Sequence, residues 1–229
     1  MKEDEFEIIC PVPEHRAILF IEGGFVLEQN QKKRSYIKFI TRVAILSAIA
    51  TVLMALKVPL WFAPSFYKFD ISEAVVLMGA FALGPAAGIV IELLKVLLNL
   101  LIDGTVTAGV GEFANFIMGC SFILPAALIY KFNKSIRTAI IGMIVGIISL
   151  TVVSSLLNYY LMLPLYASVF GIPMETLIGM GAKINPSITD LRSFILLAVM
   201  PFNLLKGLLS SVITFFLYKR ISPILHVRD

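Results

Sequence analysis

A chain of 229 residues that is 59% hydrophobic and 15% charged stands well apart from soluble domains, where about 45–50% and about 25% are usual. Its formal charge of +4 is carried by basic residues that flank apolar runs, which fits membrane orientation and sets a nucleic-acid partner aside. The apolar runs are continuous rather than alternating, so they read as membrane helices and not as a β-barrel.

Residues 1–37 read as a polar cytoplasmic extension. Within it, the stretch around Gly23-Gly24 has the pattern of a small hairpin or of a loosely ordered tail, and no secretory signal follows Met1-Lys2-Glu3. The first membrane helix is expected over 38–57, behind the basic cluster Lys32, Lys33, Arg34, Lys38 and Arg42. A stiff loop with Pro59, Trp61, Phe62, Pro64 and Phe66 leads to a second, short helix over 71–83. Gly84-Pro85 turns the chain into a third helix over 86–102, and a glycine-rich connection precedes a fourth over 112–130. Lys131, Lys134 and Arg137 mark a cytoplasmic loop before the fifth helix, 138–162. A segment over 163–189, rich in Gly and Pro, holds a short helix over 174–180, and the sixth helix runs over 190–217 to Lys219-Arg220. The expected architecture is therefore an all-α membrane protein. It has a polar extension at 1–37 and a bundle of six transmembrane helices at 38–225, with both termini cytoplasmic and every basic cluster on that side. Cys10 and Cys120 then fall on or near the reducing face, where a disulfide is not expected. His15 and His226, both near the ends, give no basis for a metal centre.

Ionisable groups inside membrane helices are costly and face a cavity or a partner. Asn203 and Lys206, three residues apart in the sixth helix, share a face. They offer donors and an acceptor to a planar heterocycle with carbonyls and an imide N–H. The alternative, Lys206 snorkelling to an interface while Asn203 joins two helices, is disfavoured by its depth, well over two turns before Lys219. Glu112 opens the fourth helix, where it suits either the positive end of the helix dipole or a set of ligand hydroxyls, and spacing does not separate the two. Glu92 and Lys95 share a face and read as a mutually neutralising pair. Asn158 gains interest from an expected depth matching Asn203 and Lys206. Ala44, Ser47, Ala48 and Thr51 make a strip of small residues, and Gly84 to Gly88 and Gly142 to Gly146 have GxxxG spacing that reads as internal packing. No P-loop, Gly-x-Ser-x-Gly or His-Glu-x-x-His pattern is present, so the chain has no ATPase motif of its own.

Lys-Phe-Asp-Ile-Ser-Glu at 68–73, Gly-Ala-Phe-Ala-Leu-Gly-Pro at 79–85, Gly-Glu-Phe-Ala-Asn-Phe-Ile-Met-Gly-Cys at 111–120 and Pro-Phe-Asn-Leu-Leu-Lys-Gly at 201–207, in this order, resemble the riboflavin-binding S component of energy-coupling factor (ECF) vitamin transporters. The resemblance implies a substrate-capture subunit of the cell membrane that is not an enzyme and carries no cofactor, with riboflavin as its transported ligand. Its partners would be a transmembrane T component and two cytoplasmic ATPases. By position, Asn158, Asn203 and Lys206 would hold the isoalloxazine ring and Glu112 the ribityl chain, and the loop after the first helix would close over the pocket through Leu60, Phe62 and Ala63. The strip with Ala44 and Ala48 resembles the family's docking surface for the T component. Three rivals remain. One is an S component for another vitamin such as thiamine. A second is a membrane-embedded enzyme using Glu92 or Glu112, disfavoured by the lack of a nucleophile–base pair or metal-ligand cluster in the sequence. A third is a purely structural membrane subunit, which would leave Asn203 and Lys206 without an occupant.

Overall fold

A computed structural model describes residues 36–59, 67–105 and 109–225. The chain divides after Arg42 into two compact units. Of the first, the described part is the start of helix α1 (Tyr36–Ala55), where Thr41 Oγ1 donates to the Ile37 carbonyl at 2.9 Å. The second unit, from Val43 onward, holds all the remaining elements.

Past α1, two short strands pair antiparallel, β1 (Val58–Pro59) with β2 (Lys68–Phe69), in the register Val58 to Phe69 and Pro59 to Lys68. The expected loop is thus closed at its base by a strand pair; its tip, with Leu60, Trp61, Phe62 and Ala63, lies outside the described residues. Helix α2 (Ser72–Leu83) is short, and every residue from Ser72 to Phe81 is buried. At a rise of 1.5 Å per residue it is about 18 Å long, shorter than a bilayer core of ~30 Å, and it is packed as a core helix by α3 (Pro85–Asp103), α4 (Val110–Phe132) and the last helix. Gly84 makes the turn between α2 and α3 at φ 101°, a conformation that favours glycine, and Pro85 then stands at the N-terminus of α3.

Helix α5 (Ile136–Phe170) opens on a capping box in which Ser135 Oγ accepts from the Thr138 N–H and Thr138 Oγ1 from the Ser135 N–H, each at 3.2 Å. Helix α6 (Met174–Ala182) follows, and α7 (Leu191–Leu217) completes the set. Asp190 caps α7 by accepting from the Ser193 N–H at 2.7 Å; Ser193's hydroxyl and N–H together hold the exposed Asp190 carboxyl below its ordinary range.

The fifth helix runs two turns beyond its expected end at 162. Over Asn158–Met162 it winds as a π-helix, and the Leu163 N–H bonds to the Asn158 carbonyl, five residues back. In α7 the same device spans Ile195–Val199, with the Met200 N–H on the Ile195 carbonyl. A proline follows directly after each of these bonds, Pro164 and Pro201. Proline lacks the N–H that an α-helix needs at that point. The widened turn removes the conflict, and both helices continue.

Among the described residues, five helices are long and apolar enough to cross a membrane, α1, α3, α4, α5 and α7, with α2 a sixth, shorter apolar helix. The core joins Leu46 and Ala50 of α1 to Leu77, Phe81, Ile91, Phe122, Ile123 and Leu150. A second cluster, Leu163, Ile188, Phe194, Ile195 and Val199, sits around the π-helical turns. The GxxxG spacing of α5 is an internal contact: a Cβ on Gly142 would lie 2.7 Å from the Ala126 carbonyl oxygen, and one on Gly146 would lie 2.5 Å from that of Phe122. Ile144, Ile148, Val152, Leu97, Leu101 and Phe216 remain exposed, as expected of helix faces solvated by lipid. Cys120 is a free thiol near the middle of α4.

Candidate functional site

A cavity of about 320 Å³ opens between α1, α3, α4, α5, α7 and the segment ahead of α2, near the lower end of the ~300–1,000 Å³ usual for small-molecule sites. Glu112, Asn158, Asn203 and Lys206 all line it, so four polar residues singled out in the sequence meet in one space. Leu60, Phe62 and Ala63 lie outside the described residues. Ala44 and Ala48 are exposed on α1, away from the cavity lining, whereas Ser47 and Thr51 of the same strip are buried and back-bond to the Val43 and Ser47 carbonyls at 2.8 Å.

Lys206 is held from beneath. Its Nζ donates to Asp70 Oδ2 at 3.2 Å and lies 3.7 Å from Glu73 Oε1. Glu73 Oε1 in turn accepts from Lys95 Nζ at 3.0 Å, and Lys95 Nζ is 2.7 Å from Glu92 Oε2. Signs therefore alternate along one buried chain, Asp70, Lys206, Glu73, Lys95, Glu92, with Lys95 and Glu92 wholly inaccessible. Pairing at each link offsets the cost of removing these charges from water. Lys206 is not snorkelling; it is anchored in the interior with its ammonium on the cavity wall. The expected Glu92–Lys95 pair is present and extends further than the i, i+3 spacing indicated. Gly119 makes room for it, since a Cβ there would overlap Glu92 Oε1.

The two asparagines are fixed in the same way. Asn158 Nδ2 donates to the Ser154 carbonyl at 2.8 Å and Asn203 Nδ2 to the Val199 carbonyl at 2.9 Å, in each case four residues back. Asn158 stands at the start of one π-helical turn and Asn203 just past the other, and the two turns touch. Two prolines thus account for where these amides sit. Asn158 Oδ1 also accepts from the Tyr67 hydroxyl at 2.6 Å, and the Tyr67 ring meets that of Phe202 at 5.2 Å. Burial pushes the Tyr67 phenol up, which keeps it the neutral donor that this bond requires.

Glu112 accepts from Thr105 Oγ1 at 3.0 Å in the first turn of α4, and Lys57 pairs with Asp103 at the exposed end of α3. Phe122, Leu150, Met162 and Leu163 supply apolar surface. Asp70, Glu73, Tyr67, Asn99 and Asn115 also line the cavity and were missed by sequence reasoning. Asp70 and Glu73 were in view within Lys-Phe-Asp-Ile-Ser-Glu, but nothing local ties them to Lys206, more than 130 residues away. Asn99 carried a signal: one amide in an apolar run, four residues after Lys95.

Positioned donors and acceptors thus surround a ligand-sized space, the arrangement of a small-molecule binding site. The family model for the ECF transporter substrate-specific component matches residues 38–218. The riboflavin transporter RibU of Staphylococcus aureus (strain TCH60) is 37% identical over 205 residues, covering 90% of this chain and 98% of that protein. The riboflavin transporter FmnP of Bacillus subtilis (strain 168) is 31% identical over 190 residues, covering 82% and 93%. A solved structure, described as "Structure and mechanism of the S component of a bacterial ECF transporter", superposes with a TM-score of 0.64 at 37% identity and covers 82% of this chain and 97% of that one. The chain belongs to the family of ECF transporter substrate-specific components, and it is a multi-pass membrane transport subunit rather than an enzyme.

Proposed function

We propose that this S component captures riboflavin. The observation that carries the reading is one cavity lined by Asn158, Asn203 and Lys206 together with Glu112 and the apolar Phe122, Leu150 and Leu163. The flavin's pyrimidine edge presents C=O, N–H and C=O in one plane. Lys206, with three N–H bonds of which Asp70 accepts one, donates to a ring carbonyl, and the asparagine amides serve the rest of that edge. The apolar walls take the dimethylbenzene end, and Glu112 accepts from the ribityl chain. That two relatives are named riboflavin transporters supports the same assignment.

In this reading the membrane domain, 38–225, is a bundle of six helices with both termini cytoplasmic, and 1–37 is a polar extension on that side. Vitamin enters from the opposite face. The exposed Ala44 and Ala48, among Ile45, Ile49 and Val52, form the surface on which a T component docks. Two cytoplasmic ATPases drive release.

Titration of the detergent-purified protein with riboflavin, read by quenching of flavin fluorescence, tests the ligand. Saturable quenching is expected, with flavin identified by mass spectrometry in the purified sample. Binding of thiamine with no response to flavin would overturn it.

A further inference from the structure

Asn99 is a polar group of the cavity that the proposed flavin contacts leave unused. It lies in α3, is 4% exposed and lines the cavity. Among the described residues its Oδ1 has no hydrogen-bond partner. Buried acceptors are rarely left in that condition, because their desolvation is then uncompensated.

Its level in the cavity follows from the α3–α4 contact. These two helices are consecutive and run back along one another, and Gly119 accommodates the Glu92 carboxylate between them. Asn99 lies seven residues beyond Glu92 along α3, and Glu112 lies seven residues before Gly119 along α4. Seven residues are about two helical turns and return to the same face. Counted in opposite directions from one shared contact, Asn99 and Glu112 therefore stand level with each other, and both line the cavity. An amide oxygen beside a carboxylate is a pair of acceptors. It calls for ligand hydroxyls; a ring carbonyl has nothing to donate.

We infer that Asn99 Oδ1 accepts a hydrogen bond from a hydroxyl of the ligand's polyol chain beside Glu112, so that α3 and α4 select for the chain while α5 and α7 select for the ring. The inference rests on the riboflavin reading, and lumiflavin separates the two, since it has the same ring system with a methyl group in place of the ribityl chain. Full-length purified protein is titrated with each flavin by fluorescence quenching. Wild type is expected to bind both, riboflavin more tightly. Asn99→Leu is expected to weaken riboflavin by roughly 5- to 50-fold and to leave lumiflavin unchanged, whereas Lys206→Met weakens both. Asn99→Ala, which adds no bulk, is read in the same assay so that misfolding of the leucine variant does not shelter the idea. Unchanged riboflavin affinity in the alanine variant, or equal losses for both flavins, overturns the role of Asn99. Wild type that binds the two flavins equally also overturns it and leaves the riboflavin reading standing. Wild type that binds neither overturns both.

Discussion

Lys206 serves the cavity and the buried charge chain at once, and substitution separates it from its neighbours in that chain. Lys206→Met removes a charge-assisted donor from the ring and leaves a ligand acceptor unpaired, for a combined cost of about 2–4 kcal/mol, or roughly 30- to 1000-fold in affinity. Glu92→Gln is the control. Glu92 is fully buried against Gly119 and Lys95 and does not line the cavity, so its loss should lower thermal stability while riboflavin affinity stays near wild type. Titration and detergent unfolding of the two variants check this; wild-type affinity in Lys206→Met, or loss only in Glu92→Gln, moves the ligand away from α7. Sequence was sufficient to single out Lys206, because an ammonium deep in an apolar helix has few explanations. It was silent on Asp70 and Glu73 as its partners. A carboxylate in the first turn of a helix, as Glu73 is in α2, looks like ordinary dipole complementarity until tertiary packing brings α7 against it.

Helix existence was legible from hydropathy alone, yet the two places where helix geometry departs from α were not. Sequence ends the fifth helix at 162, whereas the chain absorbs Pro164 with a π-helical turn and continues to Phe170. The same substitution of turn type before Pro201 sets the phase of everything after it in α7, Asn203 included. Periodicity cannot register one inserted residue in a uniformly apolar run, since no polar face shows the shift. The glycines of α5 were legible, as they leave fewer options. Gly146→Leu would drive a side chain into the Phe122 carbonyl, forcing α4 and α5 apart. Gly179→Leu, where an added Cβ would meet no atom within 4 Å, should be nearly silent. Size-exclusion profile and thermal unfolding in detergent are expected to show loss of the folded species only in Gly146→Leu.

Taken whole, the chain distributes charge as a membrane protein must, with Lys131 and Lys134 at one end of the α4–α5 pair and Ser187 in the connection ahead of α7. Single cysteines at Asn133 and Ser187, both exposed, should behave oppositely toward an impermeant thiol reagent applied to intact cells. Position 187 reacts and position 133 is protected. Reaction at both overturns the arrangement with both termini inside. The shortness of α2 has a consequence for how such a chain is made. At about 18 Å, and carrying Glu73 in its first turn, α2 is a poor candidate for release into lipid by itself, where its ends and its carboxylate would be unsatisfied. The tight turn at Gly84-Pro85 couples it to α3, whose Lys95 is the partner of Glu73. Biogenesis should therefore treat the two as a single inserting hairpin, with α2 held back from the bilayer until the translocon has also received α3.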